Sequence, residues 1–182
     1  MELYARAVTI FDEKLLDDFA KEHYANGEKY LAGDCSIILN KNYCEYDNFY
    51  DWYKEEEKLN LEENLKKGQV GCSTYLILTK EDDRLIALAD IRRSLEFMHG
   101  NIYGHIGVDV RPSERNKGYY QETLRILLEI LKDLQIDKIV ISCDYSNIPS
   151  KKGIEHVFGT EYQTIPMDST YYSVYEKEIG KE

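Results

Sequence analysis

The segment that most limits how this chain can fold is "DVRPSERNKGYYQETLRILLEIL", Asp109 to Leu131. A strand-like run stops at Arg111-Pro112, a polar loop with one glycine follows, and an apolar-periodic helix begins at once. Leu124, Leu127, Leu128 and Leu131 fall on one helical face, which a sheet or another helix must cover. A strand feeding a helix through so short a loop leaves the first helical N–H groups without carbonyl partners, at the positive end of the helix dipole. Such a cup suits an anion, phosphate or pyrophosphate above all. Gly118 admits close approach where a Cβ would intrude. Arg115 and Lys117 would add charge-assisted contacts at the rim; a solvated strand–helix turn is the plain alternative. No G-K-S/T closes the loop and no G-x-G-x-x-G is present, so the two familiar nucleotide-binding patterns are absent.

The rest of the chain supplies elements for that junction to join. "DEKLLDDFAKEHYANGE" reads as a helix with Leu15, Leu16, Phe19 and His23 or Tyr24 on one side. Residues 30–48 carry no clear period. "DNFYDWYKEEEKLNLEENLKKG" reads as a second helix, with Asp47 as cap and Gly68 at its end. "CSTYLILTK" and "RLIALADIRRSL" flank the polar turn "EDD" as an antiparallel hairpin. Tyr103–Arg111 reads as a third strand, in which Gly104 and Gly107 suggest a bulge. After the helix Tyr119–Leu134 come the continuously apolar strand "DKIVISCD", the helix "SNIPSKKGIEHVFG" and the strand "TYYSVYEKEI". The order implies an α+β fold: a mixed, mostly antiparallel central sheet with helices on both faces. With no repeat or linker, 182 residues fit one domain, 1–182.

Charge excludes some functions. The net charge of −11 is concentrated in residues 1–90, with 11 Lys+Arg against 20 Asp+Glu. That favours solubility or attraction of a cationic substrate, and argues against nucleic-acid binding. Cys35, Cys44, Cys72 and Cys143 show no C-x-x-C pairing, and with four His there is no metal-site spacing. No apolar run reaches bilayer length and the N-terminal residues lack a signal pattern, so no membrane partner is expected and a cytoplasmic location is the default. Sixteen Tyr suggest a groove, an interface or a partly wet core.

Arg115-Asn116-Lys117-Gly118-Tyr119-Tyr120 resembles the coenzyme-A-binding pattern R/Q-x-x-G-x-G/A of the GNAT superfamily of N-acetyltransferases. "GHIGVDVRPSER" before it is similar to a run in one branch of predicted acetyltransferases, and "SCDYSNIPSKKGIEHVFG" resembles the later strand-to-helix motif. The similarity spans roughly residues 70–160. It implies the acyl-CoA N-acyltransferase fold and acetyl-CoA as donor cosubstrate, with no metal. The acceptor would be a primary amine on a small molecule or peptide, in a monomer or homodimer. It also implies a splayed sheet after the strand 105–110. Backbone groups of Val108 and Val110 would pair with the pantetheine arm, and Arg115 with the N–H groups of Asn116, Lys117, Gly118, Tyr119, Tyr120 and Gln121 would hold the pyrophosphate. Asn147 and Ser150 would border the coenzyme arm. Two positions depart from the pattern: Tyr120 stands where the family has a small residue, and Ile154 where many members carry a Tyr acid.

Acetyl transfer needs a neutral amine, a polarised thioester and a proton acceptor. Val108 N–H is the implied polarising donor. Candidate bases are His105, Asp109, Glu114 and Asp90, or water, His105 having the suitable intrinsic pKa. Tyr171, Tyr172 and Tyr175 could line the acceptor pocket or replace the missing acid, or simply pack the sheet. Arg92, Arg93, Glu96, Met98 and His99 lie in the connection that borders the acceptor side in this fold. Cys143 reads as a buried thiol, not a nucleophile. Rival readings are a coenzyme-A-binding sensor without catalysis and a Tyr-rich interaction protein.

Overall fold

The computed structural model describes residues 2–179. Strands β1 (Leu3–Ala7), β2 (Cys72–Thr79), β3 (Leu85–Arg92) and β4 (Ile106–Val110) form one antiparallel sheet in that order. Strands β5 (Lys138–Asp144), β6 (Gln163–Met167) and β7 (Thr170–Glu178) form a second antiparallel sheet, ordered β5-β7-β6. The sheets meet at one place. Gly104 bridges Ile141, His105 N–H donates to Val140 O at 2.7 Å, and Val140 N–H donates back to His105 Nδ1 at 3.0 Å. Beyond that staple no ladder joins β4 to β5 among the described residues, and the sheet parts.

Helices cover both faces, as the strand and helix pattern implies. Helix α5 (Tyr119–Asp133) buries Leu124, Leu127 and Leu131 against Ile77, Ala87, Ala89 and Val110. Helix α6 (Ile148–Phe158) adds Ile154 to the same cluster. On the other face, Leu16 and Phe19 of α1 (Glu13–Ala25) and Phe49 and Trp52 of α3 (Phe49–Lys58) pack on Leu76, Leu78, Leu85 and Leu88. Alternate residues of β2 and β3 thus serve opposite cores, and both strands are buried throughout apart from Tyr75. Two one-turn helices, α2 (Ser36–Leu39) and α4 (Gly100–Tyr103), lie in the connections.

Several boundaries differ from the sequence reading. β1 was not expected: it is five residues long and makes its pattern visible only through pairing with β2, Leu3 opposite Thr79. β6 was also missed, because its mostly exposed Gln163–Met167 contains Pro166 and has little apolar alternation, as an edge strand can. The second helix ends at Lys58 rather than near Gly68, and its cap is Asn48, whose side chain accepts Asp51 N–H, rather than Asp47. The third expected strand starts at Ile106, because residues 100–103 form α4.

Candidate active site

The site begins with the ladder phase of β4. Arg92 N–H donates to His105 O and Arg111 N–H to Ile86 O, each at 2.8 Å. In an antiparallel pair hydrogen-bonded residues alternate, so Gly107 and Asp109 direct their main chain at β3. Ile106, Val108 and Val110 therefore direct theirs at the other edge, where the sheet has parted. Val110 O is taken by Arg115 Nε at 2.9 Å. Val108 thus presents an N–H and a C=O to the opening between the sheets.

At the end of β4 the chain makes a short turn at Pro112–Glu114 and passes through two left-handed residues, Asn116 (φ 62°) and Gly118 (φ 83°), into α5. The first helical bond runs from Glu122 N–H to Gly118 O at 3.3 Å. The amides of Tyr120 and Gln121 therefore precede the helical ladder and point out of its positive end. A Cβ built on Gly118 meets nothing within 4 Å. Gly118 is required by its backbone angle, not by crowding from the protein itself.

The side chains of this loop do something other than the sequence suggested. Arg115 lies against Glu28, its NH2 2.9 Å from Glu28 Oε2, and reaches Asp109 Oδ1 at 3.2 Å. Lys117 Nζ is 3.0 Å from Glu114 Oε2, and Arg84 holds the other oxygen of Glu114 at 2.8 Å. Both loop cations are thus paired with carboxylates of the chain. The cup is made by backbone amides. Lys152 of α6, which the sequence reading did not select, lines the same cleft.

Tyr120 turns its ring away from the cup and onto α6. An added Cβ at Gly153 would sit 2.3 Å from Tyr120 Cδ1, so the ring occupies the space that a side chain at 153 would fill. The bulk at position 120 is absorbed by the absence of bulk at 153. Burial pushes the phenol above its ordinary range, and a hydrogen bond with the Ser150 side chain works in the opposite direction. Asn147 caps α6 by accepting Ser150 N–H at 3.2 Å. Ile154 is wholly buried in the core and offers no polar atom to the site.

Two cavities lie along these elements. The first, about 700 Å³, is bounded by β4, the loop, the start of α5 and the start of α6. The second, about 220 Å³, adjoins it between Ile106–Val108, Ile141–Asp144 and the segment Ala32–Ile37. Ala32, Val108, Tyr120, Asn147 and Ser150 line both. Val110, Arg115, Asn116, Gly118, Tyr119 and Gln121 line the first. Among the expected coenzyme-binding residues, only Lys117 is absent from the walls.

The four candidate bases separate on geometry. His105 lines neither cavity; its Nδ1 already accepts Val140 N–H, and burial followed by the Arg92 charge lowers its pKa to about 4. The ring's one basic nitrogen thus joins the sheets, away from both cavities. Asp90 accepts from Arg92 at 2.7 Å, Gly107 N–H at 3.1 Å and Cys35 N–H at 3.1 Å, so its oxygens are occupied. Glu114 is held between two cations. Asp109 lines the first cavity, with Oδ2 accepting Ala32 N–H at 3.1 Å and Oδ1 near Arg115; burial raises its pKa while His23 lowers it. Asp109, His23 and Glu28 stand close enough to share a metal ion, but Arg115 already neutralises their carboxylates.

On the acceptor side, Arg92 is buried and donates to Tyr103 O and Gly104 O at 3.1 Å, while Arg93 holds Leu59 O and the Ser73 hydroxyl. Both guanidinium groups are engaged by the chain, and Arg92 borders the second cavity. Tyr172 lines the second cavity with Tyr103, their rings edge-to-face at 5.9 Å. Tyr175 is buried and donates to Glu155, whereas Tyr171 is 57% exposed. Met98 is exposed, and Glu96 and His99 line neither cavity. Cys143 is buried, and desolvation pushes its thiol up to about 11. The segment 32–37, without a period in sequence, is the wall that sequence reasoning missed; Gly33 was its one local sign.

A splayed antiparallel sheet whose central strand runs through an amide-lined loop into a helix defines the GNAT class of fold. The family model described as Acetyltransferase (GNAT) domain matches residues 17–157. The chain belongs to that family. Among solved structures it is similar to the ribosomal-protein-S5-alanine acetyltransferase of Vibrio fischeri, with 11% identity and TM-score 0.64, covering 98% of this chain and 93% of that one. Mutant forms of the spermidine/spermine N-acetyltransferase of Vibrio cholerae match with 12% identity and TM-score 0.62, over 97% and 95% of the two chains. A Salmonella typhimurium protein solved with its cofactor acetyl-CoA matches with 12% identity and TM-score 0.60, over 99% and 95%. No curated protein matches. At these identities the structural likeness concerns the fold. Among the described residues, no helix is long and apolar enough to cross a membrane.

Proposed function

We propose that the protein transfers an acetyl group from acetyl-CoA to a primary amine of a small molecule or peptide, directly within a ternary complex. The observation that carries this reading is the pair of cavities sharing Val108, Tyr120, Asn147 and Ser150 as common walls. A donor in the larger and an acceptor in the smaller would meet across the open edge of β4. The pyrophosphate would rest on the amides at the start of α5 and the pantetheine arm along β4. The thioester carbonyl would then lie within reach of Val108 N–H, an oriented donor that stabilises developing negative charge.

The remaining chemistry is mostly positioning. Holding amine and thioester together supplies much of the acceleration without an acyl-enzyme. The carboxylates near the site are already engaged, so water accepts the amine's proton in this scheme. Tyr120 O–H, kept protonated by burial, donates a hydrogen bond to the departing sulfur.

The test is acetyl-CoA-dependent thiol release across polyamines, amino acids and peptides, with Gly118→Glu as control. Release with at least one amine, lost in the variant, is expected; a folded Gly118→Glu that retains full release would sink the assignment of the cup. Coenzyme binding without transfer to any amine would favour a sensor instead.

A further inference from the structure

Cys35 and Cys72 take no part in the cleft. Their Sγ atoms lie 2.7 Å apart although the residues are 37 positions apart in sequence, and both side chains are wholly buried. Unbonded carbon atoms in contact stand about 3.5–4.0 Å apart, and sulfur is larger. The two sulfurs are thus held inside ordinary contact distance by two separate elements. Cys72 opens β2, where it pairs with Arg92 of β3 and donates its N–H to Leu59 O at 3.3 Å. Cys35 is held in a left-handed conformation (φ 58°) with its N–H on Asp90 Oδ2.

A metal does not account for this arrangement. Asp90 is the third group close enough to ligate. Its Oδ1 already accepts the Arg92 guanidinium and Gly107 N–H, and its Oδ2 accepts Cys35 N–H. A guanidinium within 2.7 Å of the carboxylate repels a cation.

We propose that Cys35 and Cys72 are a disulfide-forming site, closed by exchange with a low-molecular-weight disulfide. One cysteine thiolate attacks the small disulfide and releases one small thiol. The other cysteine thiolate then attacks the protein sulfur of the mixed disulfide and releases the second. One S–S bond is formed and one broken, the two cysteine protons end on the released thiols, and the small disulfide is reduced as the cysteines are oxidised. The sulfurs need to close by less than an ångström to reach the covalent length of about 2.05 Å.

Access is the slow part, since burial raises both thiol pKa values and excludes the reagent. The pair lies in a satellite cluster with Ile38, Leu59 and Val70, outside the two main cores. Exchange would proceed through local opening of this cluster, without global unfolding. The bond would also have a mechanical effect. Ala32, Gly33, Ser36 and Ile37 wall the smaller cavity, and cross-linking Cys35 to β2 ties that wall to the sheet.

The native protein would be equilibrated with oxidised and reduced glutathione, quenched with an alkylating reagent under denaturing conditions, and weighed intact and as peptides. A Cys35–Cys72 peptide is expected, with two fewer labels than the reduced protein. It should persist in Cys44→Ser, which removes the exposed thiol, and vanish in Cys72→Ser. Hydrogen exchange at Ser36–Ile38 should slow in the oxidised form. Full labelling of both cysteines at the oxidising end, or glutathione attached to Cys44 alone, overturns the site; unchanged exchange in the cross-linked protein overturns the tethering.

Discussion

Tyr120 and Gly153 are one feature divided between two helices. The ring at 120 is accommodated only because 153 has no Cβ, the built contact being 2.3 Å. Gly153 lies inside α6, where glycine ordinarily costs about 1 kcal/mol relative to alanine. Gly153→Ala is nevertheless expected to destabilise the protein by about 1–3 kcal/mol, through overpacking against the ring. In a Tyr120→Ala background the same change should become stabilising, by up to about 1 kcal/mol. Denaturant melts of the four proteins measure this reversal, and equal effects in both backgrounds would contradict the packing described. In the acetyl-transfer scheme, Tyr120→Phe should lower kcat by about tenfold or more while leaving KM for acetyl-CoA near its starting value, because it deletes one transition-state hydrogen bond of about 1.5–3 kcal/mol.

At the scale of elements, the parting of β4 from β5 depends on where they still join. His105 and Val140 exchange two hydrogen bonds there, one through the imidazole. His105→Ala should leave Val140 N–H buried without its partner and cost about 1–3 kcal/mol in a urea melt. His105→Asn should leave kcat within a few-fold of the parent, since a lost general base would cost about 10²–10⁴ in rate. A loss of that size would restore His105 as the base. What was legible in sequence follows the same scale. The hairpin, the apolar stripe of α5 and the glycine loop were readable because each is a local pattern. β1 and β6 were not, because a five-residue strand and a proline-bearing edge gain their structure from a distant partner. The pairing of Arg115 with Glu28 was equally hidden: the two lie 87 residues apart, and a basic loop looks the same in sequence whether it awaits a phosphate or already holds a carboxylate.

For the whole molecule, buried acids shape the response to pH. Burial raises Glu56 to about 7 and Asp34 to about 6. Their folded forms bind protons more tightly than the unfolded chain, so stability falls as pH rises from about 4.5 to 7 and levels beyond. Glu22 and Glu28 act in the opposite sense: both are held at about 2, Glu28 chiefly by Arg115, and Glu22 by Ser113 and Arg111 against the cost of burial. Their contribution is present above about 4.5 and is lost as pH falls towards 2. Glu56→Gln should remove much of the decline between pH 5 and 7.5, on the order of 3 kcal/mol for a shift of this size. Melting temperatures of both proteins across that range measure it, and parallel curves would contradict the assignment. The net charge of −11 also favours the approach of cationic acceptors over anionic ones, an advantage that salt should erode. In the proposed complex the coenzyme sits along the open edge of β4 and on the amides that begin α5. Titrating ¹⁵N-labelled protein with coenzyme A should shift the amides of Val108, Gly118, Tyr120 and Gln121 together and saturably. Binding that leaves those four unmoved, or no binding at millimolar coenzyme, would contradict it.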